Sequence, residues 1–376
     1  MKRVLVVDDS QFMRSVVDNA LTDAGYEVET ATDGAEAVDA VVDSRPDVVT
    51  MDVEMPTMDG IEAVERIMST RPTPILMLSA YTAEDAEATL DALERGAMDV
   101  LQKPDGSDSR TILDLVDELV DKVDELAATD VSSLALARAA AAIESVTSGR
   151  VRQSAVVSME TIGGSESAGP TSVDADGSYL DDPTVVVGAS TGGPKILEGL
   201  FATLPIELGA KLLVVQHMPA EFTDRFAARL DDVSEYAVSE ASHGDRIGPG
   251  EALVAPGGYH LEVTNSLGGE LRVGLDDGDR IHNVRPAIDV TMETAAKRVA
   301  DPLVGVVLTG MGRDGAAGIE AIKAAGGRTI AQDEETSPVF GIPKQAIETG
   351  AVDEVVPAPS IADRVVDAFR QGENNE

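Results

Sequence analysis

The sequence predicts an α/β protein: two doubly wound, mostly parallel units joined by a linker, the second carrying a β-rich insertion. Three observations carry this. The chain has 376 residues, and at roughly 150 residues per domain that length implies two or three cores. From Met1 to about Ala127, short β-branched runs alternate with longer helix-period segments, the pattern of βαβ units. The same alternation resumes at Thr184, after a stretch rich in Ala, Ser, Gly, Thr and Asp that reads as a linker.

In the first unit the expected strands are Arg3 to Val7, Val28 to Ala31, Val48 to Met51, Ile75 to Ser79 and Val100 to Gln102. Helical segments fall between and after them, at Gln11 to Asp23, Ala35 to Val42, Gly60 to Ser69, Glu84 to Arg95 and Thr111 to Leu126. Five of each complete a doubly wound sheet. The linker is expected to carry some helix near Ala135 to Ile143 and to be mobile over Gly163 to Gly177. Asp174, Asp176 and Gly177 do not make a calcium loop, because its last ligand position would be Pro183. The second unit opens with buried-strand runs at Thr184 to Gly188, Leu212 to Gln216 and Val304 to Leu308. An insertion before the third run is expected to hold the strands Ala252 to Ala255, His260 to Val263 and Leu271 to Leu275.

Composition excludes several functions. With 68 acidic against 29 basic residues the formal charge is -39, which repels phosphate backbones and anionic lipid. Aromatics are 3% of the chain and Trp is absent, so base-stacking platforms would have little to work with. The acids are spread through both halves and only eight of the basic residues are Lys, a pattern expected of a salt-adapted, halophilic surface. No cysteine is present, which removes disulfides, thiolate metal sites and a cysteine nucleophile. No apolar run approaches the roughly 18 residues of a membrane span, and Val4 to Val7 is too short for a signal-peptide core. A cytoplasmic chain that neither enters a membrane nor binds nucleic acid is expected.

In open parallel sheets, function collects beyond the carboxyl ends of the strands. Asp8 and Asp9 follow the first strand, Asp52 the third, Ser79 ends the fourth, and Lys103 follows the fifth. Three carboxylates on one rim repel unless a hard cation neutralises them, and Mg²⁺ takes one or two carboxylates with water and phosphate oxygens. Lys103 offers a point charge to a phosphate oxygen and Ser79 a hydroxyl. A single strand-end Asp or Ser is ordinarily a helix cap; five such residues on one rim make a site. The segments Val6-Val7-Asp8-Asp9-Ser10, Met51-Asp52-Val53-Glu54-Met55-Pro56 with Asp59-Gly60, Ser79-Ala80 and Lys103-Pro104 resemble the receiver domain of two-component response regulators. That resemblance covers residues 1 to about 125. It implies a flavodoxin-like fold, Asp52 as phosphoacceptor, and Mg²⁺ held by Asp9, Asp52 and the Glu54 carbonyl with Asp8 as acidic neighbour. It also implies that Ser79 and Lys103 sense the phosphoryl group, and it makes the Lys103-Pro104 bond a cis candidate.

Ser190 stands in Val187-Gly188-Ala189-Ser190-Thr191-Gly192-Gly193-Pro194, between a buried strand and a helical run. Small neighbours allow a sharp turn that exposes a hydroxyl over a helix N-terminus. The glycines have neither the G-x-G-x-x-G nor the P-loop spacing, and G-x-S-x-G is absent. A serine nucleophile needs a base, and the histidines are His217, His243, His260 and His282. His217 closes the second strand and so reaches the same rim; His260 lies in a β-like run, and His243 and His282 in polar loop sequence. Asp314, in the glycine-rich turn after the third strand, reads alone as a helix N-cap. Beside Ser190 and His217 it becomes the carboxylate that orients the imidazole. The Met311 and Thr191 N–H groups are the oxyanion-hole candidates.

These segments, with Gln216-His217-Met218-Pro219, Arg285-Pro286-Ala287-Ile288-Asp289-Val290, Leu308 to Gly315 and Phe340-Gly341-Ile342-Pro343, resemble the catalytic domain of the chemotaxis protein-glutamate methylesterases from about Thr184 to Ala368. The two resemblances together imply a phosphorylation-activated serine esterase that demethylates glutamates, and deamidates glutamines, on methyl-accepting chemotaxis receptors. They imply the chemotaxis histidine kinase as phosphodonor and no cofactor in the hydrolase site. Residues 1–127 are expected to form the receiver, 128–182 the linker, 183–370 the catalytic domain and 371–376 a polar tail. The competing expectations are an output domain that only binds partners, and a hydrolase for another ester or amide. A DNA-binding output lacks a basic helix-turn-helix.

Overall fold

The structure is a computed structural model that describes residues 2–80, 83–103, 109–129 and 179–370. The expectations for Ala135 to Ile143, Gly163 to Gly177, the Lys103-Pro104 bond and the tail lie outside these residues.

The first unit runs β1 (Arg3–Val7), α1 (Gln11–Asp23), β2 (Glu27–Ala31), α2 (Gly34–Ser44), β3 (Val48–Asp52), α3 (Gly60–Thr70), β4 (Ile75–Ser79), α4 (Ala83–Glu94), β5 (Asp99–Gln102) and α5 (Ser109–Leu126). Its strands are all parallel in the order β2-β1-β3-β4-β5. β1, β3 and β4 are buried on both faces, which explains their continuous apolar runs. Helices begin where a side chain satisfies the free N–H groups of the first turn. Ser10 caps α1, Asp33 caps α2 and Asp59 caps α3. The order reverses between β1 and β3, so a crevice opens at their carboxyl ends, and the register Val7↔Met51 brings Asp8 beside Asp52.

The second unit continues with β6 (Thr184–Ala189), α6 (Gly193–Thr203), β7 (Lys211–Gln216), α7 (Ala220–Val233), β8 (Ala237–Glu240), β9 (Arg246–Ile247), β10 (Glu251–Val254), β11 (His260–Leu267) and β12 (Glu270–Asp276). It ends with α8 (Ile288–Arg298), β13 (Leu303–Val307), α9 (Ala316–Ala324), β14 (Arg328–Gln332), α10 (Ile342–Glu348), β15 (Glu354–Val356) and α11 (Ile361–Phe369). The main sheet is ordered β15-β14-β13-β6-β7-β10-β8 and is parallel throughout. One expectation is corrected here. The strand near Ala252 to Ala255 is not part of the insertion: β10 pairs in parallel with β7 and β8 inside the main sheet. Its burial on the β7 edge decides this, and a local apolar run does not reveal which sheet a strand joins. The insertion is the antiparallel sheet β11-β12-β9. Tyr179 pairs with Arg370, and Leu180 N donates to Phe369 O.

The chain departs from β6 first toward β7 and later returns to its other side at β13. Ser190, His217 and the turn from Thr309 to Asp314 therefore follow three adjacent strands at a second switch point. The two units touch across this rim. α4 packs on α7, where Arg229 pairs with Asp91 and Glu94 and Arg225 with Glu87. Val339 joins the apolar cluster of Leu101, Leu115 and Leu119.

Candidate active site and its control surface

On the first rim the carboxylates of Asp8, Asp9 and Asp52 lie within 4.8 Å of one another. Lys103 Nζ sits between two of them, 2.7 Å from Asp8 Oδ2 and 2.7 Å from Asp52 Oδ1. Burial pushes the Asp52 carboxyl up to about 6; Lys103 opposes this and Asp8 adds to it. One ammonium against three carboxylates leaves an excess of hard oxygen donors, a set that fits a small divalent cation. Glu54 is exposed on the loop after β3. Ser79 is fully buried, and its hydroxyl accepts from Thr89 Oγ1 of α4 at 2.9 Å.

On the second rim, Ser190 follows β6 and its N–H donates to Thr309 O at 3.0 Å. Gly310 lies directly against it: a Cβ there would stand 2.6 Å from Ser190 Cβ and 2.8 Å from Ser190 N. Only glycine permits that approach. Gln216, at the end of β7, donates Nε2 to Ser190 O (2.9 Å) and to His217 O (3.1 Å). The backbone N–H of His217 donates to Ala189 O at 3.0 Å. The turn that bears Ser190 and the strand end that bears His217 are thus tied at two levels.

His217 Nε2 is 2.8 Å from Asp314 Oδ2. Asp314 does not cap its own helix. Its carboxylate accepts from Ile288 N (2.7 Å) and Asp289 N (3.0 Å), at the N-terminus of α8. Burial works against the Asp314 charge, but His217 and those two N–H groups outweigh it and hold the carboxyl below its ordinary value. Among the described residues no hydrogen bond joins the Ser190 hydroxyl to His217, and neither Thr191 N–H nor Met311 N–H has an acceptor. His260 is buried and pins a loop, accepting from Ala287 N and donating to Asp279 O. His243 meets the backbone of Leu275. Sequence reasoning missed Gln216 and Asp289, although both lie within the motifs Gln216-His217-Met218-Pro219 and Arg285-Pro286-Ala287-Ile288-Asp289-Val290; each turns a polar side chain inward onto neighbouring backbone.

The first unit reaches into this second rim. Thr191 Oγ1 donates to Asp99 Oδ2 at 2.6 Å, and Gly192 N donates to Met98 O at 2.8 Å. Lys122 Nζ holds the same Asp99 oxygen at 2.6 Å. Burial opposes the Lys122 charge, but Asp99, Glu118 and Glu125 hold its ammonium above the ordinary lysine value. Burial and the Asp99 charge push Glu125 up to about 8, against Lys122 and Thr191. Ser190 and Thr191 are both buried beneath this contact.

A phosphoacceptor-type crevice joined through side chains to a hydrolase-type rim defines a response regulator with an enzymatic output. Family comparison agrees: residues 4–116 match the response regulator receiver domain and residues 185–365 the CheB methylesterase. The chain is 50% identical over 372 residues to the protein-glutamate methylesterase/protein-glutamine glutaminase of Halobacterium salinarum, with 99% of each chain covered. It is 46% identical over 368 residues to the protein of the same name from Pyrococcus abyssi, covering 97% of this chain and 93% of that one. The crystal structure of the Thermotoga maritima CheB methylesterase catalytic domain matches at 44% identity and a TM-score of 0.48, covering 49% of this chain and 97% of that one. The chain belongs to the protein-glutamate methylesterase/protein-glutamine glutaminase family. No described helix is long and apolar enough to cross a membrane.

Proposed function

We propose that Ser190, His217 and Asp314 form the catalytic triad of a cytoplasmic esterase that hydrolyses glutamate methyl esters on methyl-accepting chemotaxis receptors. The observation that carries this is the His217 Nε2–Asp314 Oδ2 contact of 2.8 Å on the rim that also bears Ser190. Because Nε2 faces the carboxylate, Nδ1 is the nitrogen left to act as base. Ser190 Oγ attacks the ester carbonyl carbon while His217 takes its proton; the imidazolium, held by Asp314, then returns it to the departing methoxide as methanol. Water, deprotonated by the same imidazole, cleaves the acyl-enzyme and frees the carboxylate. The developing oxyanion is met by the unengaged N–H groups of Met311 and Thr191. A glutamine amide is attacked in the same way and loses ammonia.

Control belongs to the receiver. Asp52 accepts the phosphoryl group, the chemotaxis histidine kinase being the donor. Asp9, Asp52 and the Glu54 carbonyl, with Asp8 as their acidic neighbour, would hold Mg²⁺, which when bound neutralises crowded oxygens at the phosphorylation site. Phosphorylation adds roughly −1.5 to −2 charge, on the scale of other phosphorylated side chains. It draws Lys103 and Ser79 toward the new oxygens. Ser79 is tied to Thr89 of α4, and Lys103 follows β5, the strand that begins at Asp99. Both elements touch the hydrolase, so the restraint on Thr191 and Gly192 weakens. In this reading residues 1–127, 128–182, 183–370 and 371–376 are receiver, linker, catalytic domain and tail.

Methanol release from methyl-labelled receptor membranes tests the reading. Ser190→Ala abolishes release, Asp52→Asn keeps the basal rate and loses stimulation by the kinase, and a chain beginning near Asp182 is active without phosphorylation. Methanol release by Ser190→Ala equal to wild type would leave a binding-only output domain as the better account.

A further inference from the structure

Behind the His217–Asp314 pair lies a second imidazole–carboxylate pair, His282–Asp289. The Asp289 side chain is almost fully buried. Its Oδ1 accepts from Gly315 N (2.9 Å) and Gly318 N (2.7 Å), the two sides of the turn that launches α9 immediately after Asp314. Its Oδ2 meets His282 Nε2 at 3.0 Å. In return, Asp289 N donates to Asp314 Oδ1 and Ile288 N to Asp314 Oδ2. Each carboxylate therefore fastens the backbone that carries the other, and between them they clamp the start of α8 to the start of α9.

His282 is held at this position by a two-residue hairpin turn. Ile281 and Val284 exchange both backbone hydrogen bonds, and the two residues between them, His282 (φ 52°) and Asn283 (φ 64°), occupy the left-handed region without being glycine. Positive φ at both central residues is the usual geometry of a tight two-residue hairpin, so the turn fixes where the His282 ring stands. Burial and the Asp314 charge raise the Asp289 carboxyl above its ordinary value, while the Gly315 and Gly318 N–H groups and His282 oppose that rise.

We infer that Asp289 is a positioning residue for the esterase reaction: supported by His282, its carboxylate fixes the turn that presents Asp314 to His217. The inference rests on the triad reading. It assigns the effect to hydrogen-bond geometry, not to charge. An asparagine offers the same oxygen to Gly315 and Gly318 and turns its amide toward a neutral His282, so it keeps the clamp, whereas alanine releases it. A displacement of about 1 Å at a catalytic group costs roughly 10²-fold in rate.

The test uses the full-length protein, methyl-labelled receptor membranes and rates of methanol release over a range of receptor concentration, with folding followed by circular dichroism. Asp289→Ala is expected to lose about 10²-fold in kcat with KM within about twofold. Asp289→Asn should recover to within about fivefold of wild type, and His282→Ala, on the partly exposed side, should lose about three- to tenfold. If Asp289→Ala does not fold, the other two variants decide. A folded Asp289→Ala or His282→Ala with wild-type kcat, a defect confined to KM, or an Asp289→Asn as impaired as Asp289→Ala overturns the inference. Ser190→Ala is assayed beside them: if it still releases methanol, the triad reading falls and takes this inference with it, whereas an inactive Ser190→Ala with an unimpaired His282→Ala removes this inference alone.

Discussion

Thr191, next to Ser190 in the chain, gives its hydroxyl to Asp99 of the receiver across 2.6 Å. The restraint is thus applied one residue from the proposed nucleophile, on the turn that would hold the oxyanion. Hydrogen bonds to charged groups contribute about 1.5–3 kcal/mol. Asp99→Asn, which also leaves Lys122 without its carboxylate, is therefore expected to raise the unphosphorylated esterase rate about tenfold while leaving the phosphorylated rate near wild type. Initial rates of methanol release with and without phosphodonor measure both; an unchanged basal rate counts against the contact as a restraint.

Glu125 is expected to make the proposed restraint depend on pH. Burial lifts its carboxyl from an ordinary 4.5 to about 8 in the docked arrangement. Between those values the docked form binds a proton that an exposed Glu125 does not, so docking is favoured on the acid side and loses this proton uptake as pH rises toward 8. The unphosphorylated wild type should therefore gain activity from pH 5 to 8 more steeply than Glu125→Gln, whose neutral amide stays docked throughout. The ratio of the two rates should be near one at pH 5 and favour wild type above pH 8. A ratio constant across this range contradicts the assignment.

Gln216 ties the proposed nucleophile to the proposed base through the Ser190 and His217 carbonyls. Replacing it by leucine keeps the volume and removes both donors. The expectation is a loss of roughly 10–10²-fold in kcat, with unfolding free energy reduced by no more than about 3 kcal/mol. Gly193→Ala reaches the same defect by another path, because the new methyl would lie 2.2 Å from Gln216 Oε1 and displace that side chain. Steady-state kinetics alongside urea unfolding separate the two quantities.

The buried strands were legible because a strand covered on both faces leaves an unbroken apolar run, and the two rims followed from where those runs end. The roles of Asp314 and Asp289 were less so. Asp314 looks like a cap for α9, but its carboxylate serves α8, which begins 26 residues earlier in the chain. Nothing local marks that choice; it depends on how β13 packs beside β6. The Thr191–Asp99 bond joins residues 92 apart, each ordinary in its own segment. β10 was misplaced for the same kind of reason, since its partners β7 and β8 are settled by sheet packing and not by its sequence.

Five acidic side chains are buried among the described residues: Asp8, Asp52, Asp99, Asp289 and Asp314. Each belongs to a contact described above, and the other described acids lie at or near the surface, where they repel one another until salt screens them. Helicity and esterase activity are expected to fall together as salt drops from molar to about 0.1 M, where screening reaches roughly 10 Å. Circular dichroism and rate measurements across that range check this, and full helicity and activity in dilute buffer would refute the salt-adapted reading.

Because Asp99 and Thr191 belong to one polypeptide, their encounter is governed by an effective concentration set by the connecting chain, not by the number of copies in the cell. Dilution does not loosen the restraint and overexpression does not tighten it. At fixed pH and salt, each molecule is then expected to carry a resting activity of its own, so that the total resting rate scales linearly with abundance and phosphorylation changes the output per molecule.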